Sequence, residues 1–136
     1  MEIKERRLKG VFEIKLNPII DPRGFFMRTY DINELDNYGL SNKWVQENQS
    51  RSEEKGIIRG LHFQLPPFDE TKLVRCIRGG ILDVFVDLRK GSSTFGEWDS
   101  IELTEENKKL IYIPRGFAHG FCVLSDYADL HYKVSR

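Results

Sequence analysis

The chain has 136 residues and a formal net charge of zero, with 21 Lys and Arg against 21 Asp and Glu. That length suits one domain with a real core, and 40% hydrophobic with 31% charged residues is ordinary for a globular protein. A neutral chain removes any global electrostatic case for nucleic acid or an anionic membrane as partner, leaving room only for a local basic pocket.

The opening segment MEIKERRLKG is charged and lacks the apolar stretch of a secretory signal. No apolar run approaches the roughly 20 residues of a membrane span. A cytoplasmic location is the expectation. Residues 11–16 alternate loosely as a strand and stop at Asn17-Pro18. Asp21-Pro22-Arg23-Gly24 is a turn, because Pro presets φ and Gly accepts positive φ. Residues 25–30 read as the next strand. Asp31 can cap a short helix over residues 32–38, with Glu34 three positions on as in a capping box and Gly39 as the stop.

Residues 72–77, 81–88 and 117–124 are rich in β-branched and aromatic side chains. Gly79-Gly80 between the first two predicts a hairpin turn. Residues 103–109 predict a single turn. Residues 129–135 predict a terminal strand, either at a sheet edge or added to a partner's sheet. No repeat, low-complexity tract or linker interrupts the chain, so residues 1–136 are expected to form one domain. Many short strands with little helix predict an all-β sandwich or barrel. Cys76 and Cys122 are far apart, outside any metal or disulfide spacing, and predict two reduced core thiols.

Three strand-like segments are unusually polar. In the first, residues 57–64, alternation puts Ile58, Gly60, His62 and Gln64 on one face and Arg59, Leu61 and Phe63 on the other. Arg59 can share a pocket with His62 only through a bulge or a partner subunit. The second is Thr71-Lys72-Leu73-Val74-Arg75. The third, Pro114-Arg115-Gly116-Phe117-Ala118-His119, fits Pro-x-Gly-x-x-His and resembles the second motif of the cupin barrel. Metal-binding cupins pair it with an earlier His-x-His, where this chain has His62-Phe63-Gln64. With only His62, His119 and His131 in the chain, no metal and no other cofactor is expected.

Read together, the motifs resemble the dTDP-4-dehydrorhamnose 3,5-epimerases. Arg59 to Gln64 is similar to their RGLHxQ, and Lys72 to Arg75 to KLVR. Asp83 to Arg89 is similar to DVxVDxR, and Ser93-Thr94-Phe95-Gly96 to S-x-T-F-G. Pro114 to Phe121 is similar to PxGFAHGF, and Tyr132-Lys133 to the YK that follows. DPRGFF at residues 21–26 and QENQS at residues 46–50 match the earlier motifs. The set runs in order over nearly the whole chain.

The resemblance implies a cupin-type double-stranded β-helix barrel, usually dimeric, working in dTDP-rhamnose and related deoxysugar pathways that feed cell-wall polysaccharide or O-antigen. It implies His62 as the base, Tyr132 as the acid and Lys72 beside the enolate oxygen. It assigns Arg59, His119, Arg23, Gln46 and Asn48 to the nucleotide sugar. The family carries an acidic residue where this chain has Arg28, which predicts an altered ligand contact, because guanidinium only donates hydrogen bonds.

The chemistry is sound on its own terms. A proton beside a ketone leaves more readily when a fixed cation faces the oxygen that takes the charge. Imidazole, with a reference pKa of about 6.5, is available as a base near neutrality. Inversion needs proton loss on one face and gain on the other, which two groups across a pocket provide. A dry interior would protect the enolate.

Taken singly, His62 reads as a core histidine, Lys72 as a surface residue and Tyr132 as a rim tyrosine. Asp83 and Asp87 read as strand-end hydrogen-bond acceptors. Family members continue past the tyrosine strand to an aspartate that orients the base. A chain closing at Arg136 is expected to recruit another acid, Asp83 or Asp126, or to act more weakly. The competing expectations are therefore an epimerase acting at C3, C5 or both of a nucleotide-linked 4-keto-6-deoxy sugar, a nucleotide-sugar-binding scaffold without turnover, and a metal cupin.

Overall fold

Short strands punctuated by Gly, Pro and Asp leave little room for helix, and the computed structural model bears this out. It describes residues 1–40, 43–66 and 69–135. In chain order the elements are β1 (Glu2–Glu5), β2 (Phe12–Lys15), β3 (Ile19–Asp21), β4 (Gly24–Phe26), α1 (Ile32–Asp36), β5 (Gln46–Ser52) and β6 (Ile58–His62). Then come β7 (Lys72–Arg78), β8 (Gly80–Asp87), β9 (Trp98–Thr104), β10 (Lys109–Ile113), β11 (Phe117–Val123) and β12 (Ala128–Val134). The cap of α1 is the expected one, with the Asn33 amide donating to the Asp31 side chain at 3.0 Å.

The strands form an antiparallel six-stranded sheet in the order β1-β2-β10-β7-β12-β5, a four-stranded sheet in the order β6-β11-β8-β9, and the hairpin β3-β4. This is the all-β, cupin-type architecture that the motifs implied. Inward residues of both sheets make the main core. Val74, Ile111 and Leu130 of the larger sheet meet Ile81, Phe85, Leu103 and Val123 of the smaller. A second cluster lies on the outer face of the larger sheet, where Leu35 of α1 and Leu40 join Ile14, Leu73, Leu110 and Tyr112. Alternation along β7 explains both: Leu73 packs outward and Val74 inward.

Three local expectations are overturned. Gly79-Gly80 is not a hairpin turn, because β7 and β8 belong to different sheets. It is the corner where the chain crosses between them. Gly79 sits at φ +76°, and a Cβ there would lie 2.1 Å from the Tyr127 carbonyl oxygen, so the corner admits only glycine. Its amides are satisfied by Glu105 and Ser125 rather than by a ladder partner. The strand at residues 129–135 is not an edge. β12 pairs with β7 on one side and β5 on the other, which makes it an interior strand. The strand after the Pro22 turn is also shorter than expected, ending at Phe26.

Cys76 is buried and Cys122 half-buried, both as free thiols. Burial pushes the Cys76 thiol up to about 12. Among the described residues, no helix is long and apolar enough to cross a membrane.

Candidate active site

The site is built where strands from the two sheets face one another. Alternation predicts Arg59 and His62 on opposite faces of β6, yet both line the same cavity. The cause is an irregularity in the β6–β11 ladder. His62 pairs with His119 and Arg59 with Phe121, with a register shift between them. Three steps along β6 are matched by two along β11, and the parity of β6 resets. Two glycines make this possible. A Cβ on Gly120 would stand 2.7 Å from the Arg59 carbonyl oxygen, and one on Gly60 would stand 2.7 Å from the Gly120 Cα. The backbones approach too closely there for any side chain.

The cavity measures about 180 Å³. The smaller sheet supplies Arg59, His62 and His119. The larger supplies Ser50, Lys72, Val74, Leu130 and Tyr132. His62 and Tyr132 therefore come from opposite walls. A recess of about 40 Å³ also takes in His62 and Lys72, together with Asp69, Glu70, Gln64 and Phe117. The Lys72 side chain is mostly buried, and its ammonium lies 3.7 Å from Glu70 Oε1. Arg59 Nε donates to Ser52 Oγ at 3.1 Å, which ties its stem to β5.

Asp83 is not a strand-end acceptor. It lies in the middle of β8, is 0% exposed, and faces inward with Ile81 and Phe85. Its Oδ2 stands 2.6 Å from His119 Nε2. Burial pushes the Asp83 carboxyl up, against the downward pull of His119 and, more weakly, Lys72. With Asp83 ionised, Nε2 of His119 carries the hydrogen and Nδ1 is the free nitrogen. Oδ1 of Asp83 is buried without a partner among the described residues. Asp83 thus serves His119, not His62, and Asp126 stands exposed in the β11–β12 turn. The His62 side chain makes no hydrogen bond with any described residue.

The expected dry interior is open on one side. All five residues of β6 are exposed, because among the described residues β6 is an edge strand paired only with β11. The remaining expected ligand contacts do not line this cavity in their own chain. Arg23 sits at the tip of the β3-β4 hairpin with its side chain 90% exposed, paired with Asp21 at 2.9 Å. Arg28 lies 3.7 Å from Asp31. Asn48 is the ladder partner of Tyr132, and Gln46 that of Val134. Ser50, the third residue in that alternating row, does reach the cavity and was not singled out from sequence. Its position two residues beyond Asn48 on the same strand face was the available signal.

Asp87 is a structural knot. Burial alone would raise its pKa, but donors from Arg89, Ser92 and Thr94 outweigh that and hold the carboxyl well below the usual range. Arg89 in turn lies over the Phe117 ring at 4.8 Å, securing the start of β11. Among the described residues, no group of three or more His, Cys, Asp or Glu side chains could hold a metal ion. Gln64 occupies the sequence position that metal-binding cupins give to the second histidine of His-x-His.

An all-β fold of two facing antiparallel sheets, with an imidazole, a phenol and an ammonium lining one cavity, defines a protein of the cupin-type class. The family model described as dTDP-4-dehydrorhamnose 3,5-epimerase matches residues 5–136, and the chain belongs to that family. A relative from Shigella flexneri carrying the same description is 50% identical over 117 residues, which is 85% of this chain and 64% of that protein. The chain thus spans somewhat less than two thirds of that relative's length. The crystal structure of the Bacillus anthracis protein, with TDP and PPi bound, aligns with a TM-score of 0.96 at 40% identity, covering 99% of this chain and 77% of that one. The Legionella pneumophila protein in complex with dTDP-4-keto-L-rhamnose aligns with a TM-score of 0.92 at 40% identity, covering 98% and 71%.

Proposed function

We propose that the chain, as a single domain over residues 1–136, is an isomerase. It epimerises C3, C5 or both of a nucleotide-linked, dTDP-type 4-keto-6-deoxy sugar without a cofactor, in the cytoplasm. One observation carries this reading: His62, Lys72 and Tyr132 line one cavity, with the imidazole and the phenol on opposite sheets. The ligands in the Bacillus and Legionella structures support the nucleotide and the sugar.

In this mechanism His62 removes the proton from the carbon beside the C4 ketone. Charge passes to the ketone oxygen, where the Lys72 ammonium stabilises the enolate. Tyr132 returns a proton to the same carbon from the opposite wall, and the centre inverts. Arg59 and His119 hold the diphosphate side of the ligand. Arg23, Arg28, Gln46 and Asn48 complete the binding surface. Arg23 and Arg28 lie outside their own chain's cavity, and a homodimer makes them available to the second copy's ligand.

A second reading is favoured by one observation. With no side-chain hydrogen bond from a described residue to His62, no described group fixes its tautomer, and the chain would bind the nucleotide sugar without turnover. Incubation with dTDP-4-keto-6-deoxyglucose in heavy water, followed by proton NMR, separates the two. The enzyme reading expects loss of the C3 or C5 proton signal and appearance of the inverted sugar. Binding with every proton signal retained would establish the scaffold instead.

A further inference from the structure

Glu70, Lys72 and Val74 make a row of alternate residues on the inward side of β7, and Glu70 carries that row back past the first residue of the strand. The backbone there is held although it is not strand. The Thr71 amide donates to Ser135 Oγ at 2.9 Å, and the Ser135 amide donates to the Thr71 carbonyl oxygen at 3.1 Å. Both residues are buried. These bonds carry the β7–β12 pairing one step beyond Lys72 and Val134, so Glu70 is delivered to the same side as Lys72. The Glu70 and Lys72 side chains keep only 16% and 19% of their surface exposed, with Glu70 Oε1 at 3.7 Å from Lys72 Nζ. An exposed pair at this separation would count for little. This one lines the recess that also holds His62. The contact is an ion pair without a hydrogen bond, and the ammonium makes no hydrogen bond with any described residue. Its N–H donors are therefore free for a ligand. Asp83 also attracts Lys72, but that carboxylate is committed to His119 at 2.6 Å. Among the described residues, Glu70 is the one ion-pair partner of Lys72.

We propose that Glu70 is a positioning residue for epimerisation: its carboxylate holds the Lys72 ammonium in place by charge alone and leaves the N–H donors to the ketone oxygen of the sugar. The inference rests on the enolate role given to Lys72 and deepens it by naming what aims that side chain. A lysine ammonium is a compact charge on a flexible stem, so its position is only as fixed as its surroundings make it. A carboxylate in direct hydrogen-bond contact would anchor it too, but would occupy a donor that the oxygen needs. Glu70 attracts the ammonium without taking a donor. The oxygen gains its negative charge only as the carbon–hydrogen bond breaks, so the value of a well-placed cation falls on the transition state and not on ligand binding. Glu70 acts on that charge through Lys72 and has no contact with the sugar in this scheme.

Steady-state kinetics of the full chain with dTDP-4-keto-6-deoxyglucose in heavy water, read by proton NMR, test the proposal. Glu70→Gln keeps the size of the side chain, removes only its charge, and stays folded by circular dichroism. It is expected to lower kcat about 10- to 100-fold with KM within about 2-fold of wild type. Glu70→Asp keeps the charge and should retain more of kcat than Glu70→Gln. In a Lys72→Met background, Glu70→Gln should cost nothing further, because its effect passes through the ammonium. A folded Glu70→Gln variant with wild-type kcat, or one that changes KM alone, overturns the proposal. So does a Glu70→Asp variant no better than Glu70→Gln. A further loss of the same size in the Lys72→Met background overturns it as well, and would assign Glu70 to His62 instead. Wild type that turns over while Glu70 proves indifferent overturns this inference alone. Wild type that binds the sugar without turnover overturns the enzyme reading and this inference with it.

Discussion

Replacing Asp83 by asparagine and His119 by leucine, singly and together, tests whether the two act as one unit. Asp83 Oδ2 lies 2.6 Å from His119 Nε2, and the carboxylate is wholly buried. Removing His119 leaves a buried carboxylate with its second oxygen already unpartnered, and breaking such a pair costs about 3–5 kcal/mol. Asp83→Asn keeps the volume and one acceptor for the imidazole N–H, so its cost is about 1–2 kcal/mol. The double variant carries no stranded charge. Its loss should fall short of the sum of the singles by about 2 kcal/mol, the value of a charge-assisted hydrogen bond. Urea unfolding followed by Trp44 and Trp98 fluorescence reads this directly. With a slope of about 2 kcal/mol per molar urea, the double variant's midpoint should exceed the additive expectation by about 1 M. Additivity within about 0.5 kcal/mol would mean that the pair is a geometric coincidence, and Asp83 would lose its claim to hold His119.

Gly120→Ala places a Cβ 2.7 Å from the Arg59 carbonyl oxygen. It should lower stability by about 1–3 kcal/mol in thermal unfolding and slow turnover more than stability alone requires, because β6 carries His62. Unchanged kinetics would contradict the role given to the close approach. Asp87 has a folded pKa below its unfolded value, so the stability it contributes is present above about pH 4 and is lost as pH falls through the folded value. Asp87→Asn should therefore cost about 2–3 kcal/mol at neutral pH, and the gap to wild type should close in acid. A gap that is constant down to strong acid would show that the aspartate's charge is not what matters. Cys76, buried and with its thiol raised to about 12, should resist alkylation by iodoacetamide until the protein unfolds. Rapid labelling in native buffer would show an open core at β7.

Turn chemistry made much of the fold legible. Asp21-Pro22-Arg23-Gly24 and Asp31 produced the expected turn and helix start because their effects are local. Gly79-Gly80 misled because the same dipeptide serves a hairpin and a sheet-to-sheet corner, and only the distant Tyr127 carbonyl decides between them. The terminal strand misled for a similar reason, since nothing in β12 itself announces partners on both sides. In the site, His62, Lys72, His119 and Tyr132 were readable from motifs, but their convergence was not. Arg59 joins them through a register shift set by two glycines on separate strands. Asp83 was named from the sequence, but its link to His119 was hidden by their spacing, which only the pairing of β8 with β11 shortens to a hydrogen bond.

The central claim is that proton transfer to and from carbon runs between His62 and Tyr132. The most direct measurement is deuterium wash-in from heavy water into dTDP-4-keto-6-deoxyglucose, followed by NMR for wild type, His62→Ala and Tyr132→Phe. The account predicts no exchange with His62→Ala, and exchange with impaired inversion for Tyr132→Phe. Wild-type rates of exchange in a folded His62→Ala protein would contradict it.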